Sequence, residues 1–280
     1  RAADGADAPV HHVGGGDDVG AGLDLDQRLA DQHGDGLVVG DLAVDQKAVV
    51  AVAGVGIERH VEDDADWKIR ATSYTALLKQ VIRPMPEKPL KVVDLGAGNC
   101  WLSHRLREHG HRVVAVDLLV NDWDGLGAHH HYNTTFTPVQ AEYDHIPLAS
   151  AQLDLVIYNA AFHYSTRYQT TLREACRILK PEGRIVIMDT PIYHDARSGA
   201  QMVAEREEQF QLQYGTPSNH LPSENYLTYQ RLSELGDEAG IQWRIIKPFF
   251  GVKWALRPLR AKLRGHREPA KFHVICGRRL

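Results

Sequence analysis

After Trp67 the apolar residues switch repeatedly between two periods, and this alternation limits the possible folds more than any other feature of the chain. Ile69, Leu77, Leu78, Val81 and Ile82 recur at helical spacing, which predicts a helix over Trp67–Ile82 stopped by Pro84. Short apolar runs at Lys91–Leu95, Arg112–Asp117, Leu153–Tyr158 and Arg184–Asp189 read as strands. Between them Cys100–His109 is predicted to be helical, with Asn99 as its N-cap and Gly110 as its stop. A further helix is predicted over Thr171–Leu179, with Leu172, Ala175, Cys176 and Leu179 on one face, followed by a turn at Pro181-Glu182-Gly183. A helix near Gln230–Ala239 and strands at Trp243–Pro248 and Lys271–Cys276 complete the pattern. Strands that alternate with helices form a mainly parallel sheet covered on both faces. Ligands of such sheets collect at the carboxyl ends of the strands.

The most informative residues fall at that edge. The run Val92-Val93-Asp94-Leu95-Gly96-Ala97-Gly98-Asn99 leaves a strand, makes a glycine turn and enters a helix. Gly96 and Gly98 allow positive φ and close backbone approach, and the helix start offers free N–H groups. Asp117 ends the next strand, 23 residues after Asp94, where a carboxylate can accept two hydrogen bonds from a ribose diol. A nucleoside-containing cofactor is therefore expected. The dinucleotide fingerprint needs a third glycine where this chain has Trp101, so nicotinamide and flavin are disfavoured. The acidic Asp94 instead suits a ligand that carries an amino-acid ammonium group.

Taken with Gln140–Leu148, Asp154–Tyr164 and Leu172–Val186, these segments resemble a class I S-adenosylmethionine-dependent methyltransferase, over residues 67–280. The resemblance implies an α/β, Rossmann-like, doubly wound, seven-stranded and mostly parallel sheet of order 3-2-1-4-5-7-6, with the last strand antiparallel. It implies S-adenosylmethionine as cofactor, with Asp94, Gly96, Ala97 and Gly98 around its methionine part. It further implies that Asp117 holds the ribose, that Leu118 lies against the adenine, that Glu142 and Tyr143 border the adenine, and that Asn159 lines the methyl donor. Two positions depart from the family pattern: Cys100 stands where a third glycine is common, and Pro181-Glu182-Gly183 replaces Pro-Gly-Gly.

A sulfonium methyl group is already electrophilic, so such a protein mainly aligns the acceptor in line with the methyl–sulfur bond. A base is needed only when the acceptor must lose a proton; His163, four residues past Asn159, is the catalytic candidate. It could equally satisfy local polar groups. Tyr164 and Tyr74 are candidates for the acceptor pocket, and Arg70 or Tyr74 for the cofactor carboxylate. No metal site is expected. His129-His130-His131 are consecutive and reads as a solvated loop, and Cys100, Cys176 and Cys276 are widely spaced.

Two insertions are expected to decide the acceptor. Tyr193–Tyr229 contains a predicted helix near Gly199–Gln213 and offers His194, Arg206 and Tyr214 as lid contacts. In Gly251–Ala270, Val252, Leu256, Leu259 and Leu263 recur at helical spacing beside a basic stripe of Lys253, Arg257, Arg260, Arg264 and Arg267, with Pro258 breaking the helix. The expectation is that the apolar stripe covers the core while the cations face water. Peripheral contact of residues 251–270 with an anionic membrane is the alternative. No aromatic-rich RNA motif or zinc knuckle accompanies the stripe, so nucleic acid is disfavoured as a partner. The expected function is methylation of a small molecule in the cytoplasm. A lipid or quinone methyltransferase at the membrane and a catalytically silent cofactor-binding protein are the alternatives.

Residues 1–66 differ from the remainder. They hold 15 acidic and 4 basic side chains, a net charge of −11, which leaves +7 for the other 214 residues. All 21 aromatic residues follow Asp66, and Ser, Thr, Asn, Cys and Met are also missing before it. A segment rich in Gly, Ala and Asp buries little surface against its ordering entropy. Every missing residue type has codons that begin with A or T, and nearly all the types present have codons that begin with G or C, the bias of an out-of-frame or antisense reading of GC-rich DNA. The segment, which opens on Arg1, is therefore expected to be a mis-set start, with a flexible extension as the alternative. Its glycine cluster in His11–Gly22 lacks the Gly-Lys-Ser/Thr ending of a phosphate loop.

Overall fold

The computed structural model describes residues 65–280 apart from Glu87, Asn219 and His220. Apart from Ala65 and Asp66, the Gly/Ala/Asp-rich extension lies outside the described residues, as does the His11–Gly22 cluster. The chain enters on α1 (Ala65–Leu77), which widens into a π turn over Leu78–Ile82 before Pro84. β1 (Lys91–Leu95), α2 (Trp101–Glu108), β2 (Arg112–Asp117), β3 (Thr137–Gln140) and β4 (Leu153–Asn159) follow, and then α3 (Tyr168–Ile178) and β5 (Leu179–Met188). A two-residue ladder, Ile192–Tyr193 with Leu227–Thr228, brackets α4 (Ala196–Tyr214). The chain closes with α5 (Tyr229–Ala239), β6 (Ile241–Ile246), α6 (Val252–Ala255), α7 (Arg257–Leu263) and β7 (Val274–Arg279).

The seven long strands form one sheet of order β3-β2-β1-β4-β5-β7-β6, as the resemblance implies. β1 to β5 pair in parallel, and β7 runs antiparallel to both of its neighbours. The two-residue periodicity of strands divides the central side chains between two cores. Val93, Leu95, Val156, Tyr158, Ile185, Ile187 and Ile275 pack against α3 and α5, where Leu172, Ala175, Leu232 and Leu235 are buried. Val92, Leu155, Ile157, Val186, Met188 and Val274 face the other way, onto Leu77 and Val81 and onto Trp101, Leu102 and Leu106 of α2. Both faces of the central parts of β1, β4 and β5 are therefore dry, which leaves the strand ends to meet a ligand.

Three local expectations are corrected. Cys100, not Asn99, holds the N-cap position of α2, and it does so at φ 65°. Asn99 contributes only a side-chain oxygen, which accepts from the Trp101 amide. Pro181-Glu182-Gly183 is a bulge inside β5 rather than a separate turn. Leu179 pairs with Leu153 and Arg184 with Leu155, so the intervening residues loop out of register. The third correction concerns the apolar stripe. Val252, Leu256, Leu259 and Leu263 are all exposed rather than core. Trp254 takes the inward position, packed on Phe250 and Phe272 with the Arg257 guanidinium 3.8 Å over its ring, and the stripe points away from it. Pro258 sits in the first turn of α7, where a missing N–H is tolerated.

Both insertions stand on the carboxyl edge of the sheet and join into one cap. Glu268 accepts from the His194 and Asp195 amides, its own amide donates to Ser198 Oγ, and Arg267 pairs with Glu205 at 2.7 Å. Tyr193, Met202, Ala270 and Phe272 form the cap's small apolar centre. No helix among the described residues is long and apolar enough to cross a membrane.

Candidate cofactor and active site

The site begins with the turn after β1. Gly96 and Gly98 adopt φ 73° and 51°, and the Gly96 and Ala97 amides both donate to the Val116 carbonyl, which ties the turn to β2. A side chain at Gly96 would put its Cβ 2.4 Å from both Ala161 Cβ and the Tyr143 hydroxyl, so only glycine fits there. Asp117 fastens the same turn: its Oδ2 accepts from the Gly98 amide at 2.8 Å and its Oδ1 from the Leu119 amide at 2.9 Å. The loop at 121–127 folds back over the turn. Asn121 Oδ1 accepts from the amides of Trp123, Asp124 and Gly125, and the Asp124 carbonyl lies beside Gly98.

Asp94 sits beneath the turn and is 1% exposed. Ser103 Oγ donates to its Oδ2 at 2.8 Å, while Oδ1 is buried without a hydrogen-bond partner. Burial, with a smaller contribution from the Asp117 charge, pushes this carboxyl up to about 7. Leu118, next to Asp117, is half exposed, so a flat apolar ring can lie against it. Glu142 is exposed and Tyr143 is half-buried. The Tyr143 hydroxyl lies against Gly96, on the turn itself, and its ring packs edge-on against Tyr158. Burial keeps that phenol protonated.

Asn159 ends β4. With its amide oriented to satisfy both neighbours, it donates to Asp189 Oδ2 and accepts from Trp101 Nε1, each at 3.3 Å. Asp189 directly follows β5, is fully buried, and takes a 2.6 Å hydrogen bond from Ser73 Oγ of α1. Burial pushes Asp189 up to about 6, against the Ser73 hydrogen bond and the nearby Arg70 cation. Sequence reasoning treated Asp189 only as the last residue of a strand. The available signal was a carboxylate closing the apolar run Ile185–Met188 at the carboxyl edge. Cys100, Ala160 and Asp189, all at this edge, are three of the five non-glycine residues with positive φ among the described residues. Strained backbone of this kind costs on the order of 1–3 kcal/mol per residue and gathers where function over-determines the geometry.

His163 lies in the short 3-10 turn Phe162–Tyr164, 2% exposed, with Nδ1 3.3 Å from Thr190 Oγ1 and its ring against Tyr164. Burial first, then the Arg206 cation, lowers it to about 3, so the imidazole is neutral at ordinary pH. Burial pushes the Tyr164 phenol up, against the opposing pull of the nearby Arg206 and Arg70 cations. Arg206 donates to Asn225 Oδ1, and Arg70 Nε is buried without a partner. His194 stacks on Tyr229. Tyr74 packs against Trp101 and His109 on the flank of α2, and Tyr214 is left at the exposed end of α4. His129–His131 lie in the 3-10 turn Leu126–His131. Among the described residues no three His, Cys, Asp or Glu side chains converge to hold a metal. A surface cleft of about 680 Å³, between the start of α4 and α7, contains none of the glycine-turn residues.

Comparison with known proteins agrees with this geometry. Residues 93–187 match the family described as a methyltransferase domain. The chain is 31% identical over 144 residues to a malonyl-[acyl-carrier protein] O-methyltransferase of Enterobacter lignolyticus, which covers 50% of this chain and 52% of that protein. It is 33% identical over 100 residues to the corresponding enzyme of Hahella chejuensis, covering 35% and 36%. The chain thus spans from about a third to about half of the curated relatives it matches. Its fold is shared with the PH0226 protein of Pyrococcus horikoshii, at TM-score 0.54 and 14% identity over 77% of this chain and 92% of that one. A geranyl diphosphate methyltransferase solved with GPP and sinefungin shares it too, at TM-score 0.54 and 14% identity over 75% and 77%. Residues 93–187 thus match a methyltransferase domain, and the strand order is that of the Rossmann-like methyltransferase fold.

Proposed function

We propose that the chain transfers a methyl group from S-adenosylmethionine to a small-molecule acceptor. The carrying observation is the pairing of an orphaned, buried Asp94 oxygen with the Asp117 carboxylate, on either side of a turn closed to all but glycine. An ammonium group would satisfy Asp94, and a ribose diol would find Asp117 at the rim. Leu118 would back the adenine, and Asn159, fixed between Trp101 and Asp189, would border the reacting methyl. Glu142 and Tyr143 would close the adenosyl side.

When bound, the cofactor supplies an electrophilic methyl group, which passes to the acceptor atom while the bonding electrons stay on sulfur. The protein's share is alignment and exclusion of water. Within this reading an anionic oxygen, such as a carboxylate, is the favoured acceptor. It needs no base, whereas His163 is held neutral and weakly basic. The cations Arg70 and Arg206 near Tyr164 suit an anion. The curated relatives named above are O-methyltransferases, which agrees with oxygen as the acceptor atom.

The test combines labelled S-adenosylmethionine with fractions of a cell extract and measures S-adenosylhomocysteine. Turnover in a fraction of small acidic metabolites is expected. Binding without turnover in any fraction would establish a silent cofactor-binding protein, and absence of binding would remove the reading altogether. With an anionic acceptor, His163→Asn is expected to leave the pH profile of turnover unmoved. A lost alkaline-rising limb would instead restore His163 as base.

A further inference from the structure

We infer that α6 and α7 are a docking face for an anionic lipid bilayer, set on the cap above the active-site edge. The two helices are anchored inward by Trp254, which packs on Phe250 and Phe272, and by Arg257 over the Trp254 ring. Directly away from that anchor, Val252, Leu256, Leu259 and Leu263 recur at i, i+4, i+7 and i+11. Their exposures are 66%, 41%, 56% and 79%, and Phe249 beside them is 66% exposed. Single exposed apolar residues are ordinary, but five on one short segment form a patch that calls for a partner.

The surrounding charge specifies which partner. Arg260 and Arg264, one turn apart, border the apolar stripe on one side, and Lys262 borders it on the other; all three are exposed. From Arg244 to the C-terminus there are 11 basic residues and a single acidic one, Glu268, which is occupied in holding the cap together. An apolar face flanked by cations matches a helix lying in the headgroup layer, with its side chains entering the acyl boundary and its cations among lipid phosphates. The location adds a consequence. β5 and β6 both deliver their chain to this cap at the carboxyl edge, so a bilayer bound there would lie at the edge of the sheet that carries the glycine turn and Asp117.

The experiment is co-sedimentation of the full chain with vesicles of phosphatidylcholine alone and of an equimolar mixture with phosphatidylglycerol. Pelleting is expected with the mixture and not with phosphatidylcholine. Each cation near an anionic surface contributes about 1 kcal/mol, or about fivefold in partitioning. The triple variant Arg260→Gln, Lys262→Gln, Arg264→Gln should therefore partition on the order of a hundredfold less. Leu259→Asp with Leu263→Asp should abolish pelleting without moving the unfolding midpoint, because both side chains are already exposed. No pelleting with the mixed vesicles, or pelleting undiminished in both variants, would overturn the inference. Binding to poly-glutamate but not to vesicles would assign the face to an acidic protein instead, and would overturn it equally. Cofactor binding and methyl transfer play no part in these readouts, so they stand apart from the proposed activity.

Discussion

Asp117→Ala is expected to weaken S-adenosylmethionine binding by roughly 10- to 150-fold, read by calorimetry on folded protein. The range follows from the loss of charge-assisted hydrogen bonds, worth about 1.5–3 kcal/mol. Two effects would contribute. One is the direct loss of the acceptor for the ribose hydroxyls. The other is release of the glycine turn, because Asp117 also accepts from the Gly98 and Leu119 amides. A ribose-modified ligand separates them. A 2′-deoxy analogue should bind the native protein more weakly than the parent compound, whereas Asp117→Ala should bind the two alike. An unchanged dissociation constant in the variant, with its unfolding midpoint intact, would remove Asp117 from the cofactor site.

How much of this site the sequence disclosed depends on the kind of information required. Runs such as Lys91–Leu95 and Arg112–Asp117 are buried on both faces or nearly so, and the structure returns them with the same bounds. The strand order came from the family resemblance, since local periodicity says nothing about which strands pair. Cys100 illustrates a limit. Its left-handed backbone is set by the way Gly96, Gly98 and the following helix must join, and a cysteine gives no hint of positive φ. The stripe at 252–263 illustrates another. Spacing shows that an apolar face exists but not which way it points: Trp254, on the opposite face, packs on Phe272, and the stripe is left exposed. Tyr143 is expected to border the adenine, and the structure adds that its hydroxyl lies against Gly96, a long-range meeting that no spacing encodes. Asp189 joins Ser73 and Asn159 across 116 and 30 positions of sequence, with the same consequence.

Asp94 yields the second large effect, and its sign can be worked through. Without ligand the carboxyl is raised to about 7, compared with about 3.8 when unfolded, because burial disfavours the charge. The native state therefore binds the proton more tightly than the unfolded state between about pH 4 and 7. Stability contributed by this group is full below that window and declines as pH rises through it. Asp189, raised to about 6, acts in the same direction. His163, lowered to about 3, acts oppositely and costs stability as pH falls below its unfolded value. Binding an ammonium group beside the orphaned Oδ1 requires the ionised carboxylate, so cofactor affinity should rise with pH where stability falls. Binding is expected to be roughly tenfold tighter at pH 7 than at pH 5.5, since below the free carboxyl's value each pH unit is worth up to tenfold. Asp94→Asn should flatten that dependence and approach the native protein near pH 5. At pH 7.5 the same variant should resist denaturant better than the native protein by on the order of 1–4 kcal/mol, because a neutral amide avoids burying the charge. Weaker binding coupled to a more stable ligand-free protein is the signature of a residue kept for its ligand. A variant that is less stable at pH 7.5 and still binds with the native pH slope would show that Asp94 only supports the fold, and that the ammonium partner lies elsewhere.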